Sequence, residues 1–220
     1  MGSGEVYSKI ENEIPEDVTL ICVSKTRKIN EIKEVYASGA RDFGENKVQE
    51  LIEKYDNLAQ DIKWHFIGHL QTNKVKYLVG KVHLIHSLDS IHLLREIEKR
   101  YAAKDKIASV LIQINIGKES AKNGIDFEEI SDLIKACEKC DNVIVKGLMA
   151  TIPIGNEESC RGYFTKMKSI FDNLKTYEYK NVSMEFLSLG MSKDFEIAID
   201  SGANMIRLGE RIFGTRDYKK

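Results

Sequence analysis

A lysine with the potential for covalent chemistry, Lys25, follows the first hydrophobic run of the chain, TLICV (Thr19–Val23). Five β-branched or apolar residues are too few for a helix core, and they predict a strand that is buried on both faces. A lysine at the end of such a strand is partly desolvated, which disfavours the ammonium form and makes the amine a better nucleophile toward carbonyl groups. The alternative is that the aliphatic stem of Lys25 only carries its charge to water.

A second group of residues, near the end of the chain, is suited to bind an anion. Ser192 is followed by Asp194 and by apolar residues at helical spacing, which predicts Ser192 as a helix N-cap. The backbone N–H groups of Met191 and Ser192, together with that of Gly209 in the next loop, would form a cradle the size of a phosphate group. A capping role alone explains Ser192 equally well.

The elements that must position these residues are short apolar runs alternating with amphipathic helical segments, as a parallel sheet with crossover helices requires. This order predicts an α/β fold, a closed (β/α)8 TIM barrel that occupies residues 1–220 as a single domain, with a length near the lower end of the usual range. We leave Met1–Gly4 out of this prediction as a cloning remnant. The predicted strands are Thr19–Val23, Arg41–Gly44, Lys63–Ile67, Val82–His86, Ser109–Asn115, Val143–Met149, Met184–Ser188 and Asn204–Leu208.

Glycines mark the ends of these elements. Gly39 and Gly202, each in a Ser-Gly-Ala triplet, are predicted as left-handed helix C-caps. Active sites of this fold lie at the strand exits, commonly with a phosphate site after strands seven and eight, although turn geometry alone explains any one glycine there. The glycines at predicted strand exits are Gly44, Gly68, Gly117, Gly190 and Gly209.

Composition narrows the classes of function. The 33 basic and 34 acidic residues give a formal net charge of −1, so no overall field attracts nucleic acid or an anionic membrane. We find no membrane span or signal peptide and expect a cytoplasmic protein. Cys137 and Cys140 form a C-x-x-C at a helix end, and His65 and His69 have the spacing of a metal pair but span a glycine. We predict neither a redox nor a metal role for these pairs.

Several long motifs in order resemble the pyridoxal phosphate homeostasis proteins, which are related to the barrel domain of bacterial alanine racemase. The resemblance covers almost the whole chain and implies an alanine racemase N-terminal domain-like fold. The motifs are VSKT (Val23–Thr26), FGENKVQE (Phe43–Glu50), WHFIGHLQTNK (Trp64–Lys74), KGLMA (Lys146–Ala150), LSLGMSKDFEIAI (Leu187–Ile199) and IRLGERIFG (Ile206–Gly214).

The resemblance also implies a cofactor, pyridoxal 5′-phosphate (PLP). Lys25 would hold it through a Schiff base, Asn46 would lie on the side of the ring hydroxyl, and Arg207 would face the pyridine nitrogen. His65 would pack nearby. Phosphate contacts, mainly through backbone N–H groups, are implied for Met191, Ser192, Gly209 and Glu210.

Glu210 departs from the family pattern, because relatives often carry Thr or Ser at this position. A carboxylate cannot donate a hydrogen bond to phosphate. We therefore expect Glu210 to contribute only its backbone N–H, with a side chain turned toward solvent or Arg211.

The function implied is intracellular PLP homeostasis, in which the chain binds, stores or delivers PLP, with PLP-dependent apo-enzymes as recipients and little or no amino-acid catalysis. Arg207 can only donate, so the pyridine nitrogen stays unprotonated and the ring is a weaker electron sink. Racemisation also needs acid–base groups on both faces of the substrate, and in the related racemases one of them comes from an additional β domain across a dimer. We expect this chain, which ends at Lys220, to lack that domain, to be a monomer and to contain no catalytic residue.

Two alternatives remain open at this stage. One is a PLP-dependent amino-acid racemase. The other is a Schiff-base aldolase that acts on a phosphorylated carbonyl substrate, because barrels of that kind also use a lysine and a phosphate site.

Overall fold

The computed structural model describes residues 2–119 and 123–215, and in this part of the chain eight parallel strands close into a barrel. The strands follow one another in chain order, and β8 pairs with β1 through Thr19↔Met205 to Cys22↔Leu208. The predicted (β/α)8 barrel is therefore confirmed. The strands are β1 Thr19–Val23, β2 Asp42–Glu45, β3 Lys63–Phe66, β4 Leu84–Leu88, β5 Ala108–Ile114, β6 Val143–Ala150, β7 Val182–Ser188 and β8 Met205–Leu208.

Helices cover the outside of the barrel. One crossover, between β3 and β4, is a 3₁₀-helix over Thr72–Tyr77 and not an α-helix, and a second 3₁₀ turn over Phe127–Glu129 leads into α5. No helix in residues 2–119 and 123–215 combines the length and apolar character needed to cross a membrane. The α-helices are α1 Ser3–Glu13, α2 Ile29–Ala37, α3 Val48–Asn57, α4 Ile91–Ala102, α5 Ile130–Cys137, α6 Glu157–Lys175, α7 Phe195–Asp200 and α8 Glu210–Phe213.

Three details of the predicted elements were wrong, one of them being the start of β7, which lies at Val182 and not at Met184. Ser3 and Gly4, which the sequence analysis left out, belong to α1, where the Gly4 N–H donates to Glu34 Oε1 of α2 at 3.2 Å; Met1 lies outside the described residues. β4 begins and ends two residues later than predicted. Its pairing with β5 continues through a register shift to Leu88, so the polar residues before Leu88 are part of the strand.

The barrel interior is a packed core of its own. Buried side chains from five strands form a cluster separate from the larger core between strands and helices: Ile21, Leu84, Leu111, Met149 and Met205. Alternate residues of each strand point inward, which is why single residues from successive strands meet there. A Cβ on Gly44 would lie 2.9 Å from Ile21 Cγ2, so glycine at this position leaves the space that Ile21 fills.

Left-handed glycines end two of the helices, as predicted. Gly39 has φ +106° after α2, and Gly202 has φ +94° after α7. In both places the next strand begins within a few residues. The sequence signal, a Ser-Gly-Ala triplet at each helix end, was sufficient because a residue with a Cβ adopts this conformation only at a cost.

Gly147 in β6 is expected to be intolerant of a side chain. Its φ is +143°, and an added Cβ would lie 1.9 Å from the Phe186 carbonyl oxygen of β7. Gly147→Ala should lower the free energy of unfolding by at least about 2 kcal/mol, through backbone strain and a backbone clash. Gly162→Ala is the control, because this α6 residue has nothing within 4 Å of an added Cβ. It should gain about 0.5–1 kcal/mol in urea unfolding. Equal stability of the two variants would contradict this.

Candidate functional site

A cavity of about 740 Å³ opens at the carboxyl ends of the strands. Its volume is within the range of small-molecule sites, roughly 300–1,000 Å³. Residues from the exits of β1, β2, β3, β6, β7 and β8 line it. All seven residues that the sequence analysis assigned to the cofactor are among them: Lys25, Asn46, Met191, Ser192, Arg207, Gly209 and Glu210.

Some lining residues were missed by sequence reasoning, and one candidate lies elsewhere. Lys193 and Asp194 line the cavity, as does the loop after β6 (residues 151–155), which carries no motif with recognisable chemistry. His65 is not a lining residue. It is buried and bonds to Asp42 at the start of β2, away from the strand exits.

Lys25 lies in a turn that is fixed on both sides. It is half-buried, as expected for a lysine at the end of a buried strand. Before it, the Ser24 hydroxyl donates to Glu45 Oε1 at 2.6 Å. After it, Thr26 has φ +66° and its N–H donates to Glu50 Oε1. A left-handed threonine is uncommon, so neighbouring contacts must hold the turn in this shape.

The contacts that hold the turn centre on a buried ammonium, that of Lys54 on α3. Its three N–H groups donate to Ser24 O, Glu45 Oε1 and Glu50 Oε1, each at 2.7 Å, which uses every donor that a lysine has. We call Ser24, Glu45, Glu50 and Lys54 the Lys54 clamp. Burial raises the pKa of Glu45, and Lys54 opposes this shift. The clamp ties the turn that carries Lys25 to β2 and α3.

Asn46 presents a polar group that has no partner in the described part of the chain. Its Oδ1 atom is buried without a hydrogen bond, although the residue lines the cavity. The backbone after β3 approaches it closely, since a Cβ on Gly68 would lie 2.2 Å from Asn46 O. A buried polar atom of this kind is costly unless a ligand bonds to it. The terminal amide carries both donors and an acceptor, so it can bond to a ring hydroxyl.

The predicted N-cap of α7 was wrong, although its residues do line the cavity. α7 begins at Phe195, which makes Asp194 the cap position in place of Ser192. The Asp194 carboxylate accepts from the Met191 N–H at 2.6 Å, and Ser192 Oγ accepts from the Arg211 N–H at 3.3 Å. Ser192 therefore links the loop after β7 to α8, while Asp194 organises its own loop.

Arg207 on β8 reaches the cavity from the barrel interior. It is buried, with 5% exposure. Its Nη1 donates to Ser188 O at 2.8 Å and to Ser188 Oγ at 2.7 Å, and its Nη2 donates to Ala150 O at 2.9 Å. These bonds use three of the five guanidinium N–H groups, counted over the described residues. Burial lowers the pKa of Arg207 to about 10, so the side chain is still a cation at neutral pH.

The Cys137/Cys140 and His65/His69 pairs do not line the cavity. His69 pairs with Asp89 at 3.3 Å, whereas His65 bonds to Asp42 inside the barrel. Cys137 ends α5, and burial raises its pKa to about 12. In the part of the chain that the structure describes, no cluster of three or more His, Cys, Asp or Glu residues could hold a metal ion.

Comparison with known proteins identifies the family. The alanine racemase N-terminal domain family matches residues 6–217. The pyridoxal phosphate homeostasis protein of Aquifex aeolicus is 46% identical over 201 residues, which are 90% of this chain and 87% of that protein. The protein of the same name from Escherichia coli K12 is 38% identical, over 94% of this chain and 89% of its own length. The chain belongs to the pyridoxal phosphate homeostasis protein family.

A solved structure has the same fold. PipY of Synechococcus elongatus, in its structure with PLP bound, superposes with a TM-score of 0.89 at 30% sequence identity. The match covers 96% of this chain and all of that one. The family and the fold predicted from the sequence are therefore confirmed.

A single substitution in the Lys54 clamp should lower the free energy of unfolding strongly. Lys54→Met leaves Glu45 buried without its cation and should lower the free energy of unfolding by about 3–5 kcal/mol. Glu45→Gln combined with Lys54→Met should recover part of that loss, because the uncompensated charge is gone. Urea unfolding measures both.

Lys9→Met is the control for the clamp, since the Lys9–Glu13 pair is exposed and its removal should cost less than about 1 kcal/mol. A Lys54→Met variant as stable as Lys9→Met would show that the clamp does not hold the turn.

Proposed function

We propose that this chain binds PLP through Lys25 and acts in PLP homeostasis, as a store or carrier of the cofactor. The observation that carries the proposal is that seven residues scattered along the sequence, each implied by the family motifs, line one cavity. The names of the relatives and the PLP-bound PipY structure support it. The proposal includes a single-domain monomer in the cytoplasm that delivers PLP to apo-enzymes.

The residues of the cavity match the functional groups of PLP. Lys25 supplies an amine for the aldehyde, and the Asn46 amide, with its buried Oδ1 lacking a partner, suits the ring hydroxyl. Arg207 has N–H groups left for an acceptor such as the pyridine nitrogen. At the β7 and β8 exits, we assign the phosphate to the backbone N–H groups of Ser192, Gly209 and Glu210, together with that of Met191, which donates to Asp194 in this structure.

In the proposed phosphate cradle, a carboxylate of the protein competes with the phosphate for one N–H donor. The Asp194 carboxylate already accepts from the Met191 N–H. A phosphate that bonds to this N–H must displace the carboxylate, and two anions at one site repel each other. Glu210, exposed at the same mouth, adds a third negative charge. A carrier needs reversible binding, and this arrangement moderates the grip on the phosphate.

The charge of Arg207 supports a protein that holds PLP and does not use it in catalysis. Bound PLP supplies an electron sink, which is strongest when its pyridine nitrogen is protonated. A guanidinium with a pKa of about 10 stays charged and can only donate, so it keeps the opposed nitrogen unprotonated. We infer little or no amino-acid catalysis by this chain.

The covalent anchor is tested by absorption spectroscopy and reductive labelling. Wild-type protein loaded with PLP should show a visible band that borohydride removes, and peptide mass mapping should place the pyridoxyl-phosphate mass on Lys25. Lys25→Ala should lose the band and the label. Lys193→Ala is the matched control, because this lysine also lines the cavity and should leave both intact. A colourless, unlabelled wild type would overturn the proposal and favour the Schiff-base aldolase.

Catalysis is tested by isotope exchange. Loaded wild type is incubated with L-alanine and with D-alanine in deuterated water, and the α-proton signal is followed by NMR. We expect loss of the signal no faster than in the Lys25→Ala variant, because Arg207 keeps the ring a poor electron sink. Rapid exchange that depends on Lys25 would reassign the chain as an amino-acid racemase.

A further inference from the structure

A line of polar side chains crosses the barrel interior beneath Arg207. Arg207 Nη1 lies 2.7 Å from Ser188 Oγ, which lies 3.2 Å from His86 Nδ1. His86 Nε2 lies 3.0 Å from His65 Nδ1, and His65 Nε2 lies 2.9 Å from Asp42 Oδ1. The line thus runs from the cavity to the first residue of β2, at the opposite end of the strands. We call these five residues the interior chain.

The chemistry of the two ends allows an arrangement in which every hydrogen bond between them runs in one direction. A guanidinium only donates, so Ser188 Oγ accepts from Arg207 and has its own hydrogen to give to His86 Nδ1. His86 Nδ1 is then an acceptor, and the hydrogen of that ring is on Nε2. By the same step His65 accepts at Nδ1 from His86 and donates from Nε2 to the Asp42 carboxylate. In this arrangement both imidazoles are neutral and carry their hydrogen on Nε2.

The opposite charge state fits the surroundings less well. If His65 were a cation, its Nδ1–H would donate to His86, and His86 would donate to Ser188. Ser188 would then accept from both sides, which leaves its hydroxyl hydrogen without an acceptor in the chain. Burial also lowers the pKa of His86 well below its ordinary value, which favours the neutral ring. Burial alone would raise the pKa of Asp42, but the hydrogen bond from His65 and the charge of Lys63 lower it.

The interior chain also stabilises the positive charge of Arg207. Burial lowers the pKa of Arg207 and the charge of Asp194 raises it, although no ion pair joins this buried guanidinium to a carboxylate among the described residues. A buried cation is costly unless hydrogen bonds and nearby dipoles stabilise it. In the arrangement described above, all four hydrogen bonds point from Arg207 toward the Asp42 carboxylate. The hydroxyl and the two imidazoles then turn the negative ends of their dipoles toward the Arg207 cation. Three bonds to Ser188 and Ala150 set the plane of the guanidinium.

We propose that Asp42, His65, His86 and Ser188 are positioning residues, which hold the Arg207 guanidinium in one orientation and set how strongly its remaining N–H groups donate to a ligand in the cavity. For PLP as that ligand, the inference rests on the proposed function. Substitutions in the interior chain should change the electronic state of the bound PLP ring, because Arg207 would face its pyridine nitrogen. The phosphate cradle is made by other residues, so the affinity for PLP should depend little on the interior chain.

The first test uses the protein without any ligand. Long-range ¹H–¹⁵N correlation spectra of ¹⁵N-histidine-labelled wild type at neutral pH report the tautomer of each of the five histidines. His65→Gln and His86→Gln identify the two signals. Both rings should be neutral with the hydrogen on Nε2. A cationic His65, or a His86 with its hydrogen on Nδ1, would overturn the one-way direction whether or not PLP binds.

The second test uses PLP-loaded protein and the Ser188→Ala variant. Ser188→Ala removes the hydroxyl link but keeps the carbonyl acceptor for Arg207. The absorption maximum of the bound cofactor should move from its wild-type position, while the Kd for PLP changes less than about tenfold. Asp42→Asn, which keeps an acceptor but removes the distant charge, should move the maximum in the same direction.

The control for this test is Ser183→Ala on the same strand, since Ser183 bonds to Val145 O and Glu185 Oε1 and not to the interior chain. Its spectrum should match wild type. A Ser188→Ala spectrum equal to that of wild type would overturn the positioning role. A wild type that never takes up PLP would instead refute the proposed function and leave the tautomer measurement as the test of the interior chain.

Discussion

Closure of the barrel is the constraint on which the rest of this structure depends. β8 pairs with β1, so the loop that carries Lys25 and the loop that carries Gly209 lie next to each other although they are far apart in the sequence. Parallel strands place all their carboxyl ends at one face. Closure also turns alternate residues of each strand into an interior without water, where every polar group needs a partner.

Two buried cations show how the chain meets that demand. Lys54 has three acceptors for its three N–H groups, and this arrangement fixes the turn that holds Lys25. Arg207 has backbone carbonyls, a hydroxyl and a line of side chains that ends at Asp42. In each case a residue at the cavity is held by residues outside it. The site is therefore a product of the whole barrel wall and not of its loops alone.

Under the proposed function, the same surroundings would let an amine, an arginine and a phosphate cradle hold a cofactor without strong catalysis. With Arg207 opposite the ring nitrogen, as proposed, the electron sink would be limited. Carboxylates at the mouth, among them Asp194, would limit the grip on a phosphate group. Both features lower catalytic power or affinity, and both suit a protein that takes up PLP and gives it back.

The sequence by itself determined the barrel, the family and seven residues of the cavity wall, because strand periodicity, glycine positions and long motifs are local properties of the chain. It did not determine that Asp194 takes the cap position, since Ser192 and Asp194 are both good capping residues and the first residue of α7 is seen only in the structure. Nor could it reveal the Lys54 clamp or the line from Arg207 to Asp42. Those contacts join residues from different strands, and only the closure of the barrel brings them within hydrogen-bond distance and removes the water that would otherwise be their partner.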